Sequence, residues 1–212
     1  MTKTIVGLFD DIEESREVVR ELIDAGIDRD EISFVTNNAN NEPVSYEGGD
    51  DTSGAATGAG FGALVGGIGG LLVGIGAFAI PGVGPVVGAG WLVATFMGAG
   101  IGAIAGGLLG ALVDVGVPEA DAQYYSEGVR RGGTLIAVRT NESNAGRIAD
   151  IMGSHGAVDI NKRGADYRAN GYTGYNPNAQ PMTAAEVIEE RHKYRSNTES
   201  EIVMPPFSGH HL

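Results

Sequence analysis

The chain has 212 residues, a formal net charge of −13 and no cysteine. That length suits one domain with additions or two small domains. The acidic balance works against binding nucleic-acid phosphates or anionic lipid headgroups, and the missing thiols exclude disulfides, thiolate catalysis and cysteine-based metal sites.

Lys3–Phe9 is rich in β-branched and apolar residues and predicts a strand. Asp10 and Asp11 follow it. With Glu14 they read as acids capping a helix start, a simpler account than a cation site. Ile12, Val19, Leu22 and Ile23 recur at helical spacing, and Ala25-Gly26 ends that helix. Glu31–Thr36 predicts a second strand. Residues 37–51 are rich in Asn, Gly and acid and predict a loop.

From Thr52 to Val113 no residue is charged, and glycine recurs at every fourth position. Gly54, Gly58, Gly62, Gly66, Gly70 and Gly74 form one series. Gly98, Gly102, Gly106 and Gly110 form another, which Gly90 and Ala94 extend backwards. In water each helical glycine costs roughly 1 kcal/mol relative to alanine. In lipid a helix satisfies its own backbone, and small residues let helices approach closely. The spacing predicts one helix over Thr52–Ile80 and another over Pro85–Val113, each roughly 40 Å long, enough to span a bilayer core of ~30 Å. Pro81, Gly82, Gly84 and Pro85 form the hairpin turn between them. The two glycine series are then the seams of helix packing and of homo-oligomer contact.

Beyond this block, Pro118–Arg131 predicts a helix, Thr134–Arg139 a strand, Asn144–Ser154 a helix and Ala157–Asn161 a last strand. With the apolar block and the helix that follows it set aside, the order β-α-β, β-α-β predicts an α+β fold of the ferredoxin-like, split βαβ kind. Residues 1–51 supply its first half and residues 117–163 its second. Residues 52–116 are an apolar glycine-zipper α-helical hairpin inserted between the second and third strands. The tail, residues 164–212, is Gly-, Asn- and Tyr-rich and reads as mostly extended or disordered. Thr183 and Glu186 form a capping box that opens a short helix near residues 183–195. The sharper alternative for the tail is an arm docked on a neighbouring subunit.

Two functional readings follow. In the first, a non-enzymatic protein inserts its hairpin into a membrane and homo-oligomerises as a scaffold. The Pro-Gly turn crosses the bilayer and the polar domain stays cytoplasmic, as the absence of a basic-then-apolar N-terminus suggests. In the second, a cytoplasmic shell, ring or filament buries the apolar hairpins between subunits. The partners are the chain itself and, in the first reading, a lipid bilayer; no nucleic acid is expected. No catalytic, cofactor or metal residues can be assembled, since His155, His192, His210 and His211 lack metal-ligand spacing. His155 reads as a solvated turn residue.

Three stretches together resemble a known family: Thr4–Asp11, the glycine block with Ala79–Pro85, and Glu127–Leu135 followed by His155–Asp159. The pattern is similar to bacterial proteins with a general stress protein 17M-like domain of the heat-induced stress protein YflT type, some labelled low-temperature-induced proteins. The resemblance spans roughly residues 3–163. It implies a stress-linked bacterial protein without established enzymatic activity and supplies no catalytic residues.

Overall fold

The computed structural model describes residues 2–39, 76–98 and 107–201. The predicted first strand is β1 (Thr2–Phe9), and α1 (Ile12–Asp24) follows it. Asp11 caps α1 by accepting the Glu13 N–H at 2.7 Å. After the α1 C-terminus the Ile27 N–H returns to the Leu22 carbonyl at 3.0 Å, and a 3-10 turn over Arg29–Glu31 leads into β2 (Ile32–Asn37).

The apolar block departs from expectation. Residues 76–89 are two strands joined by a tight turn, β3 (Gly76–Ile80) and β4 (Gly84–Ala89). Beyond them lie two helices of eight residues each, α2 (Trp91–Gly98) and α3 (Gly107–Asp114). Eight residues span about 12 Å, well short of a bilayer core. Among the described residues no helix is long and apolar enough to cross a membrane. The continuous helix expected over Pro85–Val113 is therefore corrected. The reason lies in the sheet: β2 offers an unpaired edge, and Val86 and Val87 suit a strand buried on both faces.

The second half of the domain follows its caps. Pro118 precedes α4 (Glu119–Arg130), which leads into β5 (Thr134–Asn141). Asn141 caps α5 (Glu142–Ser154) by accepting the Asn144 N–H at 3.1 Å. The strand expected over Ala157–Asn161 is not formed. Val158 gives one backbone bond to the Leu8 carbonyl at 2.8 Å, alongside β1. Asp159 then accepts from Asn161 and Lys162, and this cap starts α6 (Ile160–Ala169) instead. The tail continues to α7 (Ala184–Glu201), opened by the Thr183–Glu186 capping box. Residues 164–201 thus carry most of α6 and all of α7, in place of the mostly extended or disordered segment expected.

The strands form one antiparallel sheet in the order β1-β5-β2-β4-β3. β5 is antiparallel to both neighbours, so β1 and β2 run parallel with β5 between them. Register is set by pairs such as Ile5 with Val138, Ile136 with Phe34, and Val35 with Gly88. Alternate residues face opposite layers. Phe9, Phe34, Ile136 and Val138 pack with Leu22, Ile148 and Met152 of α1 and α5. Leu8, Val35, Leu135 and Ala137 pack with Leu92, Leu108, Leu112 and Val129 of α2, α3 and α4. The fold is α+β, a five-stranded antiparallel sheet between two helical layers.

Gly90 joins β4 to α2 at φ +96, where a Cβ would stand 2.5 Å from the Ile32 carbonyl oxygen and 2.7 Å from the Ser33 Cα. Gly110, on α3, has nothing within 4 Å of a would-be Cβ. Gly90→Ala should therefore lower stability by about 2 kcal/mol or more, through positive-φ strain and backbone overlap. Gly110→Ala should raise it by about 0.5–1 kcal/mol through helix propensity. Urea denaturation midpoints of the two variants check both signs.

Candidate functional site

The structure scatters the expected glycine seam. Gly54, Gly58, Gly62, Gly66, Gly70, Gly74, Gly102 and Gly106 lie outside the described residues. Gly90 precedes α2 and packs on β2, Gly98 ends α2, and Gly110 sits on α3. These three do not share one helix, so the second series is not a single straight ridge. Pro81, Gly82, Gly84 and Pro85 do come together, at the turn between β3 and β4. Gly82 (φ +72) and Gly84 (φ +107) make that turn possible, and Val83 closes it with a 3.0 Å bond to the Ile80 carbonyl.

The turn is covered by the chain's own tail. A Cβ on Gly82 would collide with the Asn176 carbonyl oxygen, and one on Gly84 would stand 3.0 Å from the Pro181 side chain. The Tyr175 hydroxyl donates to the Pro81 carbonyl. Val83 beneath is 1 % exposed. The expectation that this turn crosses a bilayer is therefore not met in this arrangement, where residues 175–181 occupy its outer side.

Behind the turn the tail is fastened by charge and aromatic rings. Arg163 grips Asp10 through both carboxylate oxygens, at 2.8 and 2.5 Å. Its guanidinium lies 3.8 Å from the Tyr194 ring centroid, and the Tyr194 hydroxyl donates to Asp166 at 2.7 Å. Arg131 binds Glu127 at 2.7 Å and Glu190 at 2.9 Å, and lies 4.7 Å over the Tyr167 ring. Arg191 donates to the Gly132 carbonyl at 2.8 Å, and Arg130 to the Gln180 carbonyl at 3.3 Å. Tyr172 donates to the Gln123 carbonyl at 3.3 Å. Five elements or their ends therefore meet here: β1, α4, α6, the segment 170–183 and α7.

The environment shifts the ionisations. Burial pushes the Tyr125 hydroxyl up to about 12, helped by Asp121 and Asp159, and burial likewise pushes Tyr172 up to about 12. Burial raises Tyr167 further, against the lowering pull of Arg163. Burial also raises Tyr175, and it raises Tyr194 together with the bond to Asp166. For Arg163 burial opposes the charge, but Asp10 more than reverses this, so the guanidinium is held more firmly protonated than usual.

Sequence reasoning placed none of these tail residues in a site. Asp10 was expected to share the capping role with Asp11, but only Asp11 caps α1. The available signal was positional, since one helix start accommodates one N-cap residue. Tyr167 was expected in a sequence without a core, yet it is fully buried. His155 is not the free turn residue expected, because its Nε2 lies 2.5 Å from Glu21 of α1. A shallow groove beside Gly26–Glu31 is lined by Asp28, Glu31, Arg139 and Asn144. Its Arg139 is engaged by Glu31 at 2.8 Å and stacked 4.7 Å over Trp91. Among the described residues no group of three or more His, Cys, Asp or Glu is placed to hold a metal ion.

The fold and site define an α+β protein whose C-terminal arm clasps an uncharged turn. No family model, curated protein or solved structure matches the chain.

Two measurements follow from this geometry. Asp10→Ala leaves Arg163 buried without its partner, since the pair is 13 % and 10 % exposed, and should cost about 3–5 kcal/mol in denaturant unfolding. The tyrosines give a pH dependence. Their folded values lie above the ordinary value of 10, so the folded state keeps protons that the unfolded chain loses. This contribution is complete below pH 10 and is lost as pH rises towards 12. Denaturation midpoints should therefore fall between about pH 9 and about pH 11, and native tyrosinate absorbance should lag that of unfolded protein.

Proposed function

We propose that this chain is a non-enzymatic, self-assembling structural protein. Its charge-free glycine segments pack between subunits and its acidic αβ domain forms the outer face. The carrying observation is the interval Thr52–Val113, which holds twenty glycines and no charge while the rest of the chain supplies the full −13. Apolar surface of this extent needs a partner, and small residues allow backbones to approach closely. Two structural features support an assembly. The described part of the interval folds back into the sheet as β3, β4, α2 and α3 rather than forming a spanning helix. The site's clustered charges pair with one another around the arm, as Arg163 does with Asp10 and Arg131 with Glu127 and Glu190.

The split arrangement of β1, β5 and β2 supports the finer reading of a ferredoxin-like core extended by β4 and β3. Val158 then stands where the fourth strand of such a core would lie. The resemblance to the general stress protein 17M-like family supports a stress-linked, cytoplasmic role. A membrane scaffold is the second reading. It rests on residues 52–75, which carry no charge and exceed the roughly 20 residues that a bilayer core requires.

Size-exclusion chromatography with light scattering, in buffer without detergent, tests the proposal. The expected result is a defined oligomer, and Gly62→Leu with Gly66→Leu should reduce its mass by preventing close approach. A monomer in both proteins overturns the reading. Recovery from the particulate fraction only with detergent transfers the role to the bilayer.

A further inference from the structure

The arm covers the turn between β3 and β4, which belongs to the uncharged interval. Residues 175–181 lie on the turn Pro81–Gly84, and the Tyr175 hydroxyl also lies 3.8 Å from a would-be Cβ of Gly107, where α3 begins. Ile80, Val83 and Leu108 are all buried in this region. None of residues 76–98 or 107–113 is charged. Lifting the arm would uncover a continuous apolar surface at the root of the glycine segments.

The arm's own attachment is narrow. Between Ala184 and Tyr194 the buried side chains are Val187 and Tyr194, two turns apart on one stripe, while Ile188 is 43 % exposed. The remaining fastening is polar and aromatic, with Tyr172 set against the Tyr124 and Tyr167 rings, Tyr194 against Tyr167, and Tyr175 on the apolar cluster. Arg131–Glu190 and Arg163–Tyr194 join the arm to the body, and Tyr194–Asp166 joins α7 to α6. Gly171 (φ +89) and Gly174 (φ +132) provide backbone freedom between α6 and the covering segment. A strap fixed by a few charged and aromatic contacts, with an apolar surface beneath, is built to come off without unfolding the sheet.

We infer that residues 170–201 form a releasable cover, and that the surface under it takes a second copy of this chain. The occupant follows from continuity: the covered patch belongs to the same uncharged interval that the proposed assembly buries, and the inference rests on that proposal. Release of the arm therefore promotes association, and its closure limits it.

The test uses the full chain. Glu190→Arg with Tyr194→Ala removes the clasp while leaving the sheet intact. Amide exchange at Val83 should accelerate at least tenfold, and the concentration for half-maximal association should fall at least tenfold. A second variant runs in the opposite direction. The chain is free of cysteine, so Arg131→Cys with Glu190→Cys puts one thiol on each side of the clasp, and a reducible bis-thiol crosslinker joins them in place of the ion pair. Crosslinking should hold the arm shut and suppress association, and reductive cleavage should restore it. Faster exchange at Val83 with unchanged association overturns the inference, as does association that ignores whether the crosslink is intact. Those results leave the assembly proposal standing if Gly62→Leu with Gly66→Leu still reduces oligomer mass. If that glycine pair has no effect, the assembly proposal fails and the inferred occupant fails with it.

Discussion

The position of β5 is the constraint on which the rest of the structure depends. It lies between β1 and β2 and hydrogen-bonds to both, so neither of these strands gains its β5 partner until the inserted segment has returned to the sheet. The hydroxyls of Thr36 and Thr134 meet at 2.9 Å although they are 98 residues apart in sequence. Closing so long a loop is entropically costly, yet the cost grows only logarithmically with length. The inserted segment must leave β2 and return to β5 near one end of the sheet. β4 meets part of that requirement by pairing directly with β2, which keeps the insertion anchored to the sheet. The bond from Asn37 to the Arg130 carbonyl ties the exit from β2 to the end of α4 that feeds β5. α4 in turn carries Glu127 and ends at Arg131, to which the arm attaches.

What was legible in the sequence follows from where local chemistry decides. Asp11 and the Thr183–Glu186 pair mark helix starts, because a side-chain oxygen satisfies backbone donors within the same few residues; the Asn141 cap was missed, and its helix was expected to start at Asn144. The strands β1, β2 and β5 are apolar and β-branched, and each could be read as a strand close to its observed bounds. The strand expected over Ala157–Asn161 failed because Asp159 satisfies two backbone N–H groups at once, a local gain that one more ladder bond does not match.

The larger misreading, of β3 and β4 as parts of helices, has a geometric cause. A spacing of four is close to the helical repeat, but it is also an even number, so it keeps residues on one face of a strand. Gly84 and Gly88 on β4 obey the same periodicity as the expected helical ridge. Periodicity alone cannot separate the two, and the decision falls to a tertiary partner, the free edge of β2. The arm was illegible for a different reason. Its apolar content is too low to announce a core, and it docks through guanidinium groups on tyrosine rings and through paired carboxylates. Those contacts depend on residues such as Asp10, which lies more than 150 residues from Arg163.

The glycines of the uncharged interval can be judged by what surrounds each of them. Glycine is unfavourable in helix and strand alike, so it persists where a side chain would not fit. Gly82 lies against Asn176, Gly84 against Pro181, Gly88 against the Phe34 carbonyl oxygen and Gly90 against the Ile32 carbonyl oxygen. Each is explained by contacts within one chain. Gly110 is different: it occupies a helix interior, where alanine would be favoured, and among the described residues nothing lies within 4 Å of a would-be Cβ. Val113, on the same helix, is 38 % exposed. A glycine with open space in front of it, beside an exposed valine, leaves α3 suited to close approach by another backbone. Gly146 and Gly153 of α5 are equally open, but Gly110 is the member of the uncharged interval, among those described, whose helix cost has no contact to offset it, and the proposed assembly supplies one.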